Sequence, residues 1–353
     1  MKIAEISAPW YPIPPKGYGG VELVVSLLTE ELVRRGHDVT VFATGDSSTG
    51  AHLSYVFDRA PSDRIGGRNF QVEHIHALEA YRRAGEFDII HDHDGMSSRA
   101  MGALARSLVG TPTLATLHGP ADPKSKELYT HLKDELFYVA ISNDQRKSFG
   151  PLNYVATIYN AIDVSKYPFN PEQGDYLLWL GRINQEKGAR EAVLIAAELG
   201  MRLVLAGKMS EPHEFDYFKS QVKPLMGSKV EMVGELGFHD KVDLYRRAYA
   251  TLFPIQWPEP FGLVMIESMA TGTPVVATAL GAAPEVIVNG ETGYVVENDL
   301  EQLVEATRRV GDLSRKACRE HVEARFSAPV QAEHYERAMR DVIDRTAAGR
   351  KVS

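Results

Sequence analysis

Short runs of β-branched and aromatic residues alternate along the chain with stretches whose apolar positions recur every three to four residues. That alternation predicts repeated strand–helix–strand units. In the first half the strand-like runs are Lys2–Ser7, Val39–Ala43, Asp88–His91, Thr113–Leu117, Tyr138–Ile141 and Val155–Tyr159. In the second half they are Tyr176–Leu180, Arg202–Ala206, Val230–Val233, Ala250–Phe253, Pro274–Thr278 and Tyr294–Val296. Such alternation builds parallel sheets covered by helices on both faces, so the predicted class is α/β with two doubly wound halves. The segment Asn160–Gly174 carries Pro168, Pro171 and Gly174 with little periodicity and reads as the linker. The expected divisions are residues 1–165, 166–327 and a C-terminal helical segment, 328–353. Residues 328–347 read as a closing helix with Pro329 in its first turn. Tyr335, Met339, Val342 and Ile343 form one apolar stripe on it, which needs a surface to cover.

Length agrees with this division, because 353 residues exceed what one core usually supports. Hydrophobic residues at 44% and charged residues at 24% describe a folded chain and exclude long disorder. The net charge of −8 supplies no global positive field, which argues against a nucleic-acid partner. A lone cysteine, Cys318, excludes an intrachain disulfide framework and a thiolate zinc site. Met1–Ile6 enters a strand pattern with no export signal, and no window reaches the ~18 apolar residues of a membrane span. A cytoplasmic protein is therefore expected, with weak peripheral membrane contact left open.

In open α/β sheets, ligands sit beyond the carboxyl ends of the strands, so the loops there carry the candidate chemistry. After the first strand, a loop rich in proline and glycine ends in Gly19-Gly20 at a helix start. Those glycines allow a phosphate or sugar to approach backbone amides, although a plain turn and cap fits equally well. The spacing is not that of a dinucleotide fingerprint. The run Gly181–Gly188 follows the strand Tyr176–Leu180 and carries Arg182 and Lys187, a guanidinium fork and a mobile ammonium suited to a diphosphate. In Pro258–Glu267, Glu259 precedes a helix and Glu267 lies inside it, about 12 Å apart along the axis. That exceeds the spacing of a glycosidase carboxylate pair, about 5 to 9.5 Å. It suits two hydroxyl-bearing groups at opposite ends of an elongated ligand, with amides near Phe261, Gly262 and Leu263 turned to the phosphates between them.

Taken in order, Gly19-Gly20-Val21-Glu22, Leu117-His118-Gly119, Asn160-Ala161-Ile162-Asp163, Gly181-Arg182 with Lys187-Gly188, Glu259-Pro260-Phe261-Gly262 with Glu267, and Gly272–Ala277 resemble retaining glycosyltransferase family 4, the group 1 glycosyltransferases. The resemblance implies the GT-B fold of two facing Rossmann-like domains, with the C-terminal helix returning to the N-terminal domain. It also implies transfer of a sugar from a nucleotide diphosphate donor to a hydroxyl acceptor with retention. Within that family's pattern, Arg182 and Lys187 match the cations on the donor diphosphate. Glu259 matches the acid on the sugar hydroxyls and Glu267 the acid on the ribose. Gly19 and Gly20 match the glycine loop near the phosphates, and His118 matches a histidine at the reacting sugar. His118, Arg182, Lys187 and Glu259 are the expected catalytic set. Gly19, Gly20, Phe261, Gly262, Leu263 and Glu267 are the expected donor-binding set.

The chain departs from the pattern at Ala161, at Gly281-Ala282-Ala283 and at Pro254–Trp257, where Trp257 adds bulk beside the sugar pocket. The run His91-Asp92-His93-Asp94 contains good metal ligands, but alternation in a strand puts the histidines on one face and the aspartates on the other. No metal site and no cofactor are expected, and the histidines read as a strand end hydrogen-bonding an acceptor. Backbone near Val233–Leu236 is expected to meet the base, with UDP slightly favoured over GDP. Acceptor contacts are expected at Tyr11–Tyr18 and Asp94–Ser98. Rival readings on the same scaffold are a sugar phosphorylase, a nucleotide-sugar epimerase and a non-catalytic sugar sensor.

Overall fold

Apolar runs flanked by glycine and polar turns become short parallel strands because both of their faces are covered. In the computed structural model, which describes residues 1–17, 19–64 and 70–350, the chain divides into two units. The first comprises Met1–Ala161 and Ala328–Ser353, and the second Ile162–Ser327. The division thus falls at Ala161–Ile162, a few residues before the expected boundary, because Ile162 already bridges to Ser327.

The first unit holds β1 (Lys2–Ile6), β2 (Asp38–Ala43), β3 (His52–Tyr55), β4 (Ile89–Asp92), β5 (Thr113–Leu117), β6 (Phe137–Ala140) and β7 (Tyr154–Thr157). They form one parallel sheet in the order β3-β2-β1-β4-β5-β6-β7. Alternate residues serve opposite faces. Ile3, Ile89 and Leu114 pack beneath the helices Gly20–Arg34 and Ala328–Arg350, whereas Ala4, Ile6 and Ile90 pack against Phe70–Arg82 and Met96–Val109. The terminal helix buries Tyr335, Met339 and Val342 in the first of these cores. Strand β3 was not foreseen. It is an edge strand with polar His52 and Ser54, half exposed, and so lacks the continuous apolar run that marks the inner strands.

The second unit holds β8 (Tyr176–Leu180), β9 (Arg202–Ala206), β10 (Val230–Gly234), β11 (Ala250–Phe253), β12 (Val275–Thr278) and β13 (Gly293–Val296). These are also parallel, in the order β10-β9-β8-β11-β12-β13. Leu177 and Trp179 face the helices Ala189–Leu199 and Leu300–Arg309, while Tyr176 and Leu178 face Phe238–Arg247.

Strand order reverses between β1 and β4 in the first unit and between β8 and β11 in the second. At such switch points the loops leave the carboxyl edge in opposite directions and open a crevice. The loops of the two switch points carry most of the candidate chemistry.

Candidate functional site

In the second unit, the loop after β8 is pinned through its backbone amides and carbonyls. Asn184 Oδ1 accepts from the Lys187 amide at 3.1 Å, Trp179 Nε1 donates to the Lys187 carbonyl at 2.9 Å, and the Gln256 amide donates to the Glu186 carbonyl at 2.7 Å. Gly188 turns the chain at φ +71°, and a Cβ there would lie 1.9 Å from the Pro254 carbonyl oxygen. Only glycine permits that approach. The loop after β8 is thereby tied to the loop after β11, and Lys187 Nζ forms an ion pair with Glu259. The ammonium also lies 5.0 Å from the Trp257 ring centroid, so Trp257 supports the cation. Glu259 is fixed from below by Gly281, where a Cβ would stand 2.2 Å from its carbonyl oxygen, and by the Ala282 amide at 2.9 Å. Gly281, the one glycine in Gly281-Ala282-Ala283, therefore does the close packing.

Arg182 donates from Nε to Glu214 Oε1 at 2.8 Å, with a second contact from its terminal nitrogen at 2.6 Å. Glu214 also accepts from the Ser210 and Glu211 amides at 2.6 and 3.0 Å. Burial opposes ionisation of this carboxyl, but the backbone amides and Arg182 outweigh it and hold the group below its ordinary value. The guanidinium is about one-third exposed and keeps N–H groups for a ligand. Sequence reading missed Glu214. Its signal is the capping box Glu211-Pro212-His213-Glu214, which looks purely structural until Arg182 is placed beside it.

Gly262 opens the helix Leu263–Ala270 at φ +84° with no side-chain cap, and a Cβ there would meet the Phe253 ring at 2.8 Å. Phe261 is buried against Phe326. Glu267 lies inside the same helix and is almost fully buried. Its Oε1 accepts from Tyr167 at 2.9 Å and Lys241 Nζ at 2.6 Å, and its Oε2 accepts from Tyr245 at 3.1 Å. The structure thus gives Glu259 and Glu267 separate partners, one the Lys187 ammonium and the other a set of two phenols with a lysine.

In the first unit, Gly19 precedes the helix Gly20–Arg34 at φ +150°, and a Cβ there would lie 2.8 Å from Pro15. Tyr18, the end of one expected acceptor loop, lies outside the described residues, as does the side chain of Ser97. Glu22 is buried three residues into this turn, and burial pushes its carboxyl up to about 7.

His91 and His93 are a correction. They are not a strand end offered to an acceptor, because both are buried and bonded inward. Glu5 on β1 pairs in register with His91 on β4 and accepts a contact from each imidazole, His91 Nδ1 to Oε1 at 3.0 Å and His93 Nε2 to Oε2 at 3.1 Å. His91 Nε2 meets Thr116 Oγ1 at 2.8 Å, and His93 Nδ1 meets His118 Nε2 at 2.7 Å. The ligand atoms of Glu5, His91 and His93 lie within 4.8 Å of one another, a set that could hold a metal ion. Sequence reading did not assemble it because the third member comes from another strand. A charged residue inside the apolar run Lys2–Ile6 was the available signal. Burial pushes His91, His93 and His118 each down to about 3, which keeps the three rings neutral near pH 7.

Asp92 turns to the other face, as alternation requires, and pairs with Arg99 at 3.0 Å and Tyr81 at 2.7 Å. Asp94 at the strand end is buried, and neither of its carboxyl oxygens is hydrogen-bonded among the described residues. Burial, then the charges of Asp92 and Glu73, raises its carboxyl well above the ordinary range.

Residues 163–325 match the family described as Glycosyl transferases group 1, and residues 18–166 match Glycosyltransferase Family 4. The chain is 28% identical over 365 residues to the glycogen synthase of Mycobacterium tuberculosis, covering 88% of this chain and 86% of that relative. Among solved structures it is similar to AviGT4, a glycosyltransferase involved in avilamycin A biosynthesis, at 26% identity and a TM-score of 0.73 over 98% of each chain. It is also similar in fold to Anabaena HepE, solved in complex with UDP, at 19% identity and a TM-score of 0.75 over 97% of this chain and 100% of that one.

Proposed function

Because the chain belongs to the group 1, family 4 glycosyltransferases and has their GT-B fold, we propose that it transfers a sugar from a nucleoside diphosphate, UDP for preference, to an acceptor hydroxyl with retention at the anomeric carbon. The observation that carries this reading is the junction of the loops after β8 and β11, where Lys187 is held between Glu259 and Trp257. An ammonium has three donors. Glu259 takes one, and the others are free for the diphosphate. Arg182 adds a second cation, and the uncapped amides of Leu263–Ala270 add a helix N-terminus.

Negative charge grows on the diphosphate as the anomeric bond breaks, so preplaced cations stabilise the transition state more than the ground state. We assign that role to Arg182 and Lys187, with no divalent ion required. Glu259 accepts from sugar hydroxyls while Lys187 neutralises it. A carboxylate has about four lone-pair sites. Three at Glu267 are filled by Tyr167, Lys241 and Tyr245, which leaves one for a ribose hydroxyl. His118, by its match to the family's pattern, is assigned to the donor sugar. Glu259 is committed to hydroxyl binding and no other nucleophile is assigned, which favours attack on the same face as the departing phosphate. The buried Asp94 carboxyl, with neither oxygen hydrogen-bonded among the described residues, suits an acceptor hydroxyl. HepE's complex with UDP supports that carrier by analogy of fold.

Thermal-shift measurements across a panel of nucleotide sugars select the donor, since a tight ligand raises apparent stability by mass action. Proton NMR of the product then reads the anomeric configuration, in buffer with and without EDTA. An inverted product, or phosphorolysis or epimerisation without transfer, would overturn the proposal. Turnover abolished by EDTA and restored by a divalent ion would overturn the metal-independent step.

A further inference from the structure

At the switch point of the first unit, three side chains converge on one place. Glu5 pairs in register with His91, and His93, two residues further on, shares that face of the sheet. Glu5 Oε1 stands 3.0 Å from His91 Nδ1, Glu5 Oε2 stands 3.1 Å from His93 Nε2, and the two nitrogens stand 3.1 Å from each other. All three side chains are fully enclosed, and among the described residues Glu5 has imidazoles but no lysine or arginine as ion-pair partners. A carboxyl buried in this way pairs with a cation, takes up a proton or binds a metal. The three nearly equal edges favour the metal. A hydrogen lies along one edge at a time, because hydrogen bonds prefer to be linear. A divalent ion between the groups meets both nitrogens and both carboxylate oxygens together. At about 2.05 Å from each nitrogen, the usual zinc–imidazole distance, an ion would see the pair at about 98°, between the ~90° of an octahedron and the ~109° of a tetrahedron. The outer ring nitrogens are supported too. His91 Nε2 meets Thr116 Oγ1 at 2.8 Å, which the Tyr335 hydroxyl backs at 3.1 Å, and His93 Nδ1 meets His118 Nε2 at 2.7 Å. Metal-ligating imidazoles direct their second nitrogen at such partners, which fix the plane of the ring.

We infer that Glu5, His91 and His93 form a buried site for one divalent ion of the zinc class, with the carboxylate chelating and the ion joining β1 to β4. Two imidazole nitrogens and two carboxylate oxygens make a four-donor set that suits zinc and lacks the thiolates of a soft-metal site. Because the set is enclosed, it offers no open position to a substrate. The ion is therefore structural and enters as the chain folds. This role is separate from the donor chemistry assigned to Arg182 and Lys187, which lie in the other unit. EDTA added to the folded enzyme leaves a closed site of this kind loaded, so a metal-independent turnover and a structural ion are compatible.

The test uses the full, untagged chain, unfolded with a chelator and refolded either with zinc or with the chelator kept present. After dialysis, elemental analysis is expected to find one equivalent of zinc in the first sample, and its Tm is expected to exceed that of the second by at least about 5 °C, because a tight ligand acts by mass action on the unit that holds it. Glu5→Gln keeps the size of the side chain and a hydrogen-bonding group toward both rings but loses the chelating charge. It is expected to retain less than a tenth of an equivalent and to show no Tm response to zinc. Cobalt in place of zinc supplies an arm that needs no variant, with the visible spectrum of four nitrogen and oxygen donors and no thiolate charge-transfer band. Wild type that refolds in zinc yet retains less than a tenth of an equivalent would overturn the inference and leave a hydrogen-bonded triad only. Equal zinc in wild type and Glu5→Gln, or a thiolate band from Cys318, would place the ion elsewhere and overturn it as well.

Discussion

Replacing Lys187 by alanine removes a cation whose surroundings have been arranged to keep it in one place. Its ammonium is about one-fifth exposed and sits against Glu259 and the Trp257 ring, on a loop pinned by Asn184, Trp179 and Gly188. A unit charge about 4 Å from a developing negative charge contributes roughly 4 kcal/mol at an effective dielectric near 20. Part of that is already present toward the ground-state diphosphate, so the differential share is smaller. Losses of about 2.7–4 kcal/mol accompany removal of one preorganised electrostatic donor elsewhere, equivalent to about 10²–10³ in rate. The expected result for Lys187→Ala is a fall in kcat of on the order of a hundredfold or more, with a lesser rise in donor KM. Single-turnover rates with radiolabelled donor separate chemistry from product release. If kcat is unchanged and only KM rises, Lys187 contributes uniform binding, and the transition-state argument fails.

Three further outcomes follow from the same geometry. Gly188→Ala places a Cβ against the Pro254 carbonyl at positive φ and is expected to cost at least about 2 kcal/mol, lowering Tm by about 5 °C or more, whereas Gly227→Ala, with open space around it, leaves Tm unchanged; equal Tm values would contradict the packing described. Glu267→Gln sets an amide donor among Tyr167, Tyr245 and Lys241, so Tm falls and donor KM rises about tenfold; an unchanged KM would remove Glu267 from the ribose. Burial raises Glu22 from 4.5 to about 7, so between those values the folded chain binds a proton that the unfolded chain has released, and stability falls as pH rises, by roughly 3 kcal/mol. Urea titrations of wild type and Glu22→Gln across pH 4 to 8 read that slope as a difference, because the depressed buried imidazoles tilt wild type and variant alike in the opposite sense. Parallel curves would show that Glu22 does not titrate there.

The fold was legible wherever a strand is buried on both faces, as in Thr113–Leu117 and Ala250–Phe253, because burial imposes a continuous apolar run. It was illegible at His52–Tyr55, whose edge position tolerates polar residues. The same contrast holds at the site. Arg182, Lys187 and Glu259 stand out because loops at strand ends have few structural uses for such residues together. Glu214, Tyr167, Tyr245 and Lys241 were hidden because each comes from a segment remote in sequence and matters only through the acid or cation it touches. The histidine run was noticed but read as hydrogen-bonding an acceptor, whereas two of its imidazoles bond to Glu5. Its direction depends on Glu5, supplied across the β1–β4 register, and pairing of that kind is a tertiary fact with no local pattern.

The central claim is that a nucleotide diphosphate is gripped where the loop after β8 meets the loop after β11. A crystal structure of the protein soaked with UDP tests it most directly. The expected density places the diphosphate oxygens within hydrogen-bond distance of the Arg182 guanidinium and Lys187 Nζ, over the amides that open the helix Leu263–Ala270. A diphosphate bound elsewhere, with both cations still paired only to Glu214 and Glu259, would contradict the account.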